Sequence, residues 1–374
     1  MNNDREKLVE LSMRDKVRLQ FILQAMFVFW FLAISPESMA QQVVIGRITD
    51  TNDGTPVPGA AIFIANTTIG TTSDESGYYA LTIQSEGSYE IVVSHVGYRP
   101  VFHKINTPES FHQINFALDT NEIAEVIITP CGNYRKRDVD LFWRRLLGEK
   151  SSKRGMEILN PENVYFCQNG DQVLHVSCKE PIKIVNHETG YHIRYVLESF
   201  QHDYRTDEST IYGKPYFEEL IPQNSHQNLR WEKKRQEVYA VSLTRFMRAL
   251  YRGQIHEEGF LLAKRDSFSL KDILQIELHR VHVNIGEPLL LACFSKPVTD
   301  TMIQNAFSLI YDINGKIPFM TLLPQQFILY SDGTYTGLLK INEHRSPITG
   351  LSSMLPVEYG AALTQATEWM INSR

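Results

Sequence analysis

The feature that most constrains this chain is a succession of short, alternating apolar segments, cut by turn residues, between Val43 and Leu118. Val43-Val44-Ile45-Gly46-Arg47-Ile48-Thr49 opens the series and Asn52-Asp53-Gly54 turns it; Ala60 to Ala65, Tyr78 to Ile83, Tyr89 to His95, Tyr98 to Ile105 and Gln113 to Leu118 follow. Side chains alternate across a strand, so each segment offers one face to a core and one to water. Strand-sized runs at this spacing, without a helical period, predict a sandwich or barrel. Asp74-Glu75-Ser76-Gly77 and Glu86-Gly87-Ser88 supply the tight turns. The pattern looks complete in itself, and a segment of about 80 residues can bury a marginal core, so residues 41–120 are expected to fold alone as an all-β domain.

Four stretches then fall in order: Gly46-Arg47-Ile48-Thr49-Asp50, Pro56-Val57-Pro58-Gly59-Ala60, Gly70-Thr71-Thr72-Ser73-Asp74-Glu75-Ser76-Gly77-Tyr78 and Ser94-His95-Val96-Gly97-Tyr98. Together they resemble the carboxypeptidase regulatory-like domain found at the N-terminus of many Bacteroidetes outer-membrane proteins, TonB-dependent nutrient transporters among them. The resemblance implies an immunoglobulin-like or prealbumin-like β-sandwich; only the fold is taken from it. Glu122 to Thr129 is similar to the strand that follows this domain in the transporters, giving a linker over 121–130. The remaining part, about 245 residues long, lacks the many amphipathic strands of a large outer-membrane barrel, so the chain is not read as a transporter.

Residues 131–374 read as an α+β region. Asp138 is expected to cap a helix running to Leu147, Val164 to Cys178 to form a hairpin around Asn169-Gly170, and Ile182–Val185 and Tyr191–Phe200 to be strands. Ser242 caps a helix whose Leu243, Phe246, Met247 and Leu250 make an apolar stripe, with Gly253 as its stop. Phe260–Arg265, Ile276–Asn284, Leu289–Phe294, Gln326–Tyr330 and Thr334–Leu339 read as strands, with Ser331-Asp332-Gly333 as a turn; Asn305–Ile317 is ambiguous. Asn160-Pro161-Glu162, Pro181 to Asn186, Gly190-Tyr191, Tyr239 to Leu250, Glu258-Gly259-Phe260 and Leu355-Pro356-Val357-Glu358-Tyr359 resemble an uncharacterised region that follows the same domain in other Bacteroidetes envelope proteins. No activity comes with that likeness.

The N-terminus carries an address. Arg14, Lys16 and Arg18 precede an apolar run from Leu19 to Ile34, and Ser38-Met39-Ala40 follows, the basic, apolar, small-residue order of a signal peptide over residues 1–40. Export is the expectation, to the periplasm or into association with the outer membrane, and Gln41 is the expected mature start. No cysteine follows Ala40, which argues against a lipoprotein. The formal net charge of −6 disfavours nucleic acid as a partner. The four cysteines, Cys131, Cys167, Cys178 and Cys293, are expected to be free. A two-residue turn at Asn169-Gly170 would set Cys167 opposite Gln172, too far from Cys178 to bridge.

Chemistry is searched for by elimination. No histidine is followed by Glu at the spacing of a zinc carboxypeptidase, and there is no HExxH. His279 and His282 would fall on opposite faces of a strand. His192 and His202 share a parity, but ten residues of strand separate them by ~33 Å. No GxSxG elbow, GxGxxG or Walker loop appears. Cys131, ahead of Tyr134-Arg135-Lys136-Arg137, is the one cysteine with a basic neighbourhood. Asp50-Thr51-Asn52-Asp53-Gly54 lacks the spacing of a calcium loop and reads as a β-turn. Accordingly no catalytic residue, cofactor or metal ligand is assigned.

One cluster stands above background. Arg230, Lys233, Lys234, Arg235, Arg245, Arg248 and Arg252 against Glu232 and Glu237 leave a local excess of five positive charges. On the Ser242 helix, Arg245, Arg248 and Arg252 fall about 200°, 140° and 180° from Leu243, opposite the apolar stripe. With Lys233 and Lys234 they form a candidate surface for an anionic partner; a plain solvated face and internal pairing with carboxylates are the alternatives. The expected function is therefore a non-catalytic, exported envelope protein, a binding or assembly module whose second domain contacts an envelope protein, glycan or membrane. An envelope hydrolase with its site in the second domain is the alternative.

Overall fold

Strict alternation in β1 (Gln42–Asp50), with every second residue buried, makes it the centre of a sheet with one wet face. It pairs antiparallel with β4 (Tyr78–Ile83) and parallel with β7 (Phe111–Gln113) and β8 (Phe116–Leu118). The opposing sheet has the order β3-β2-β5-β6, from Gly70–Thr72, Ala61–Ile64, Ser88–Ser94 and Val101–Asn106. Between the sheets Val44, Ile48, Ile62, Ile64, Leu81, Ile83, Ile91 and Val93 form one core, each at most 2 % exposed. Asn52-Asp53-Gly54 is a turn, as expected, with Asp50 accepting from Asn52 N at 2.6 Å and from the Tyr98 hydroxyl at 2.9 Å. Tyr98 lies outside β6, which starts at Val101 rather than at Tyr98.

The structure, a computed structural model, describes residues 42–83, 86–106, 111–120, 134–148, 155–168, 172–263, 274–277, 280–286, 288–294, 297–299, 319–323, 325–336, 341–344 and 350–360. The signal peptide, the linker strand at Glu122–Thr129, Cys131, His279 and the stretch Asn305–Ile317 lie outside the described residues.

The second region is built on a long hairpin, β13 (Tyr191–Asp203) and β14 (Glu208–Glu219), paired from Tyr191↔Glu219 to Asp203↔Glu208. The other side of β13 carries β12 (Ile182–Asn186) along its first half and β11 (Val173–Cys178) along its second, with β9 (Met156–Ile158) and β10 (Val164–Gln168) outside them. Helix α1 (Lys136–Leu147) covers one face, the Phe142 ring standing edge-on to Phe200 at 5.0 Å. Asp138 is the third residue of α1, not its cap: it is fully buried, accepts from the backbone N–H of Arg135 at 2.7 Å and takes the Tyr204 hydroxyl at 2.5 Å.

Helix α2 (Ser225–Ala240), which the sequence pattern does not announce, buries only Trp231, Arg235 and Val238. It is fastened by side chains: Trp231 Nε1 donates to His187 O at 2.8 Å, and Arg235 Nε to Thr189 O at 2.7 Å. Helix α3 (Leu243–Arg252) starts and stops as expected, Ser242 accepting from Arg245 N at 3.1 Å and Gly253 adopting φ 68°. Phe246, Met247 and Leu250 pack on β15 (Phe260–Ala263), β17 (Arg280–Ile285), β18 (Leu289–Cys293) and β20 (Gln325–Leu329). The expected single strand Ile276–Asn284 is instead a hairpin, β16 (Leu274–Glu277) with β17, paired through Glu277↔Arg280. The β19 (Phe319–Leu322) and β21 (Ile341–His344) strands complete the β15-β18-β19-β21 sheet. Residues Gln42–Arg374 thus form one compact unit, an immunoglobulin-like sandwich followed by an α+β region.

Cysteine placement corrects one expectation. Cys167 is disulfide-bonded, while Cys178 and Cys293 are free. In the hairpin register Cys167 opposes His175 and Cys178 opposes Val164, so the loop is longer than two residues and the local pair does stay apart. Burial pushes both free thiols up to about 12, which favours their protonated form.

Candidate functional site

The side chains richest in chemistry gather where the sandwich meets the second region. The β2–β3 turn is the wedge. Asn66, held at φ 64°, turns the chain so that its N–H donates to Pro215 O at 2.8 Å, while Phe217 N donates to Thr67 O at 3.0 Å. On the other flank Val357 N donates to Asn66 O at 2.8 Å, and Glu358 Oε1 accepts from Thr68 N at 2.9 Å. Three residues of the sandwich therefore sit between the edge of β14 and a segment near the C-terminus. Beneath them Phe63, Ala65 and Val92 close on Val196, with Phe102 and Tyr216 beside them; the Phe63 and Tyr216 rings lie 5.1 Å apart. Gly70 is required here, since a Cβ would stand 2.7 Å from the Tyr216 hydroxyl. An ion pair, Lys214 Nζ to Glu90 Oε2 at 2.6 Å, spans the same seam.

Arg248 is the keystone, and its position overturns the expected exposed arginine face. The residue is 2 % exposed. Its guanidinium donates to Asp332 O at 2.9 Å, Tyr239 Oη at 3.0 Å, Tyr359 O at 2.8 Å and Val357 O at 2.5 Å. The face of α3 opposite the apolar stripe is not left to water, because residues 355–360 and the Asp332-Gly333 turn return to cover it. Asp332 in turn accepts from the Tyr89 hydroxyl of the sandwich at 2.6 Å, and Thr334 Oγ1 accepts from Ser88 N at 2.9 Å. Burial raises the carboxyl pKa of Asp332, with the bonds from Tyr89 and Thr334 and the charge of Arg248 pulling the other way. Glu358 is raised by the same cause, again opposed by hydrogen bonds and Arg248, and its Oε2 is buried with no hydrogen-bond partner.

The flanking arginines are also turned inward. Arg245 Nε donates to Glu258 Oε2 at 2.9 Å and Nη1 to Ala240 O at 2.6 Å, and Arg252 Nη2 reaches Glu258 Oε1 at 3.2 Å. Internal pairing, the third alternative above, describes them. Lys234 lies 3.7 Å from Glu188 and 3.8 Å from Glu237, and Lys233 alone of the five is exposed. The structure therefore does not bring Arg245, Arg248, Arg252, Lys233 and Lys234 together as one exposed surface for an anionic partner.

Two histidine arrangements on β13 escaped the sequence. His192 Nδ1 meets Glu218 Oε2 at 2.8 Å, and Arg194 Nη2 meets the same carboxylate at 2.5 Å, a cross-strand pair on the face turned to the sandwich. The register slips between Leu197 and Ser199, so His202, despite sharing parity with His192, joins the α1 face with Phe200. There its Nδ1 meets Ser209 Oγ at 2.8 Å, its Nε2 lies 3.8 Å from Asp207, and its ring stands edge-on to Tyr204 at 4.5 Å. Burial lowers the His202 pKa, favouring the neutral imidazole, with the charges of Asp207, Asp203 and Asp138 pulling the other way. Reading β14 as a strand was the missing step, because both partners lie on it. Among the described residues no group of three or more His, Cys, Asp or Glu side chains is placed to hold a metal, and no helix is long and apolar enough to cross a membrane.

With the geometry in place, comparison defines the class of the first unit: residues 44–128 match the CarboxypepD_reg-like domain family. The sandwich is such a domain. Over this part the chain is 36 % identical, along 103 residues, to a TonB-dependent receptor of Formosa agariphila, covering 27 % of this chain and 10 % of the receptor. It is 32 % identical over 108 residues to the TonB-dependent receptor SusC of Bacteroides thetaiotaomicron, covering 28 % of this chain and 10 % of SusC. The chain thus spans about a tenth of the length of these curated relatives. Among solved structures, a DUF3823 family protein from Bacteroides ovatus aligns over 49 % of this chain and 82 % of its own, at 10 % identity and a TM-score of 0.18, a likeness too slight to carry structure or function across.

Proposed function

We propose that this is a non-catalytic cell-envelope protein in which the sandwich and the α+β region act as one rigid binding or assembly body, presenting the second region to an envelope protein, glycan or membrane. The observation that carries the reading is the seam. Backbone bonds from Asn66 and Thr67, the Arg248 hub and the Tyr89–Asp332 bond spend the region's strongest polar chemistry on holding two modules together. The envelope address is supported by the receptors that share the sandwich and by the signal-peptide pattern ahead of it. Fractionation of the native host, followed by crosslinking and capture, tests both halves. The protein is expected in the periplasmic or outer-membrane fraction, with a crosslinked partner that Arg248→Met fails to retain. Recovery from the cytoplasm would sink the proposal.

The hydrolase reading keeps one specific support, the Ser209 hydroxyl against a buried His202 whose pKa is lowered. A fluorophosphonate probe that labels the wild type and not Ser209→Ala would favour it over the binding reading.

A further inference from the structure

The start of α2 presents an arrangement that no contact among the described residues consumes. Ile221, just after β14, is 91 % exposed, and Leu229, in the second turn of α2, is 67 % exposed. Neither belongs to any of the hydrophobic clusters. Gln223 N donates to Gln227 Oε1 at 2.7 Å and Asn224 Oδ1 accepts from Gln227 N at 2.9 Å, which folds the Ile221-Pro222 loop back onto the helix start. Measured from the buried Trp231 at about 100° per residue, Leu229 lies at about 160°, Lys233 at about 200° and Arg230 at about 260°. Leu229 and Lys233 thus share the face opposite Trp231, with Arg230 beside them on its flank.

Charge on the rest of the helix is already committed. Lys234 lies between Glu188 and Glu237, Arg235 holds Thr189 O and Glu219, and Glu232 accepts from the Tyr359 hydroxyl at 2.8 Å. Arg230 and Lys233 are exposed and form no ion pair among the described residues. What the helix start leaves exposed is thus aliphatic side chains together with cations that form no ion pair among the described residues. Apolar side chains entering the acyl boundary beside cations at headgroup level is the pattern by which surface-lying helices hold an anionic membrane.

We propose that Ile221, Leu229, Arg230 and Lys233 form a contact with an anionic lipid surface, the aliphatic pair inserting and the two cations meeting phosphate headgroups. This replaces the arginine face of α3 with a different surface, and it rests on the envelope reading for a membrane to meet.

The test uses the compact unit Gln42–Arg374, so that the apolar run at Leu19–Ile34 takes no part. Cosedimentation is measured with vesicles of phosphatidylglycerol and phosphatidylcholine, and with phosphatidylcholine alone, at low and high salt. Binding is expected to favour the anionic vesicles and weaken with salt. The double variant Arg230→Gln/Lys233→Gln should lose affinity by about five-fold per cation. Ile221→Ser/Leu229→Ser should lose at least about ten-fold, from the apolar area no longer buried. In Leu229→Trp, the introduced indole's emission should shift to the blue on vesicle addition. Wild type that pellets with neither vesicle, variants that pellet like wild type, or an unshifted emission each overturn the proposal. So does equal binding to soluble dextran sulfate, which would make the site a polyanion contact. Envelope fractionation is unaffected by any of these results, so the wider reading stands or falls separately.

Discussion

The two sheets of the sandwich obey different rules. In the β1–β4 sheet burial alternates without exception, every second residue of β1 being buried and the others partly open. In the β2–β5 sheet the alternation breaks down: Ile62, Phe63 and Ile64 are all buried, as are Ile91, Val92 and Val93. One sheet has a solvent face; the other has two cores, its own and the seam with Val196 and Tyr216. A continuous apolar run in a short strand marks burial on both sides. The sandwich is thus complete on one side and unfinished on the other.

That contrast can be broken most severely at its keystone. Arg248→Met leaves the carbonyls of Asp332, Val357 and Tyr359 without their donor, and should cost about 3–5 kcal/mol in urea unfolding of Gln42–Arg374, because a charged, fully hydrogen-bonded group is removed from a buried site. Next comes a paired comparison. Phe63→Ala should cost about 3 kcal/mol in the intact unit and under about 1 kcal/mol in an excised 42–120 fragment, whereas Leu81→Ala, in the inter-sheet core, should cost about 3 kcal/mol in both. Equal costs for Phe63→Ala in the two settings would mean that the seam adds nothing to the sandwich.

A gentler probe is pH. Asp332 and Glu358 both have folded pKa values raised by burial, so the folded protein binds these protons more tightly than the unfolded chain. The stability they contribute is complete below the ordinary carboxylate range and is lost as pH rises through their raised values. Melting temperature followed upward from mildly acidic pH should therefore fall less steeply in Asp332→Asn/Glu358→Gln than in wild type. The smallest effect belongs to the partly exposed pairs: Arg245→Gln and Arg252→Gln, which share Glu258, should each change stability by about 1 kcal/mol or less.

The sandwich was legible because its information is local: turn residues and alternation specify each strand from its own sequence. The caps of α3 were legible for the same reason, Ser242 and Gly253 acting within one turn of themselves. Failures came where a distant segment decides. Arg248 reads as solvent-facing from the helix period alone, and it is the return of residues 355–360 and the Asp332-Gly333 turn that buries it. Helix α2 has no apolar stripe to read, being held by Trp231 and Arg235 bonded to the backbone of residues 187 and 189. The His202–Ser209 pair depends on the slip between Leu197 and Ser199, which reverses the parity that a regular strand would keep.

Thr68 and Glu358 meet across 290 residues of chain. On a ribosome adding about 5–20 residues per second, the sandwich is finished on the order of half a minute before the residue that secures its turn has been made. Phe63, Val92 and Phe102 wait only until Val196 and Tyr216 have been made, but the wedge of Asn66–Thr68 stands open on one flank for the whole interval. Birth of this protein is therefore a wait in which its oldest module carries an open turn. A chain cut short before Val357 would keep its apolar seam with Val196 and Tyr216 but leave the Asn66–Thr68 turn without the contacts of Val357 and Glu358.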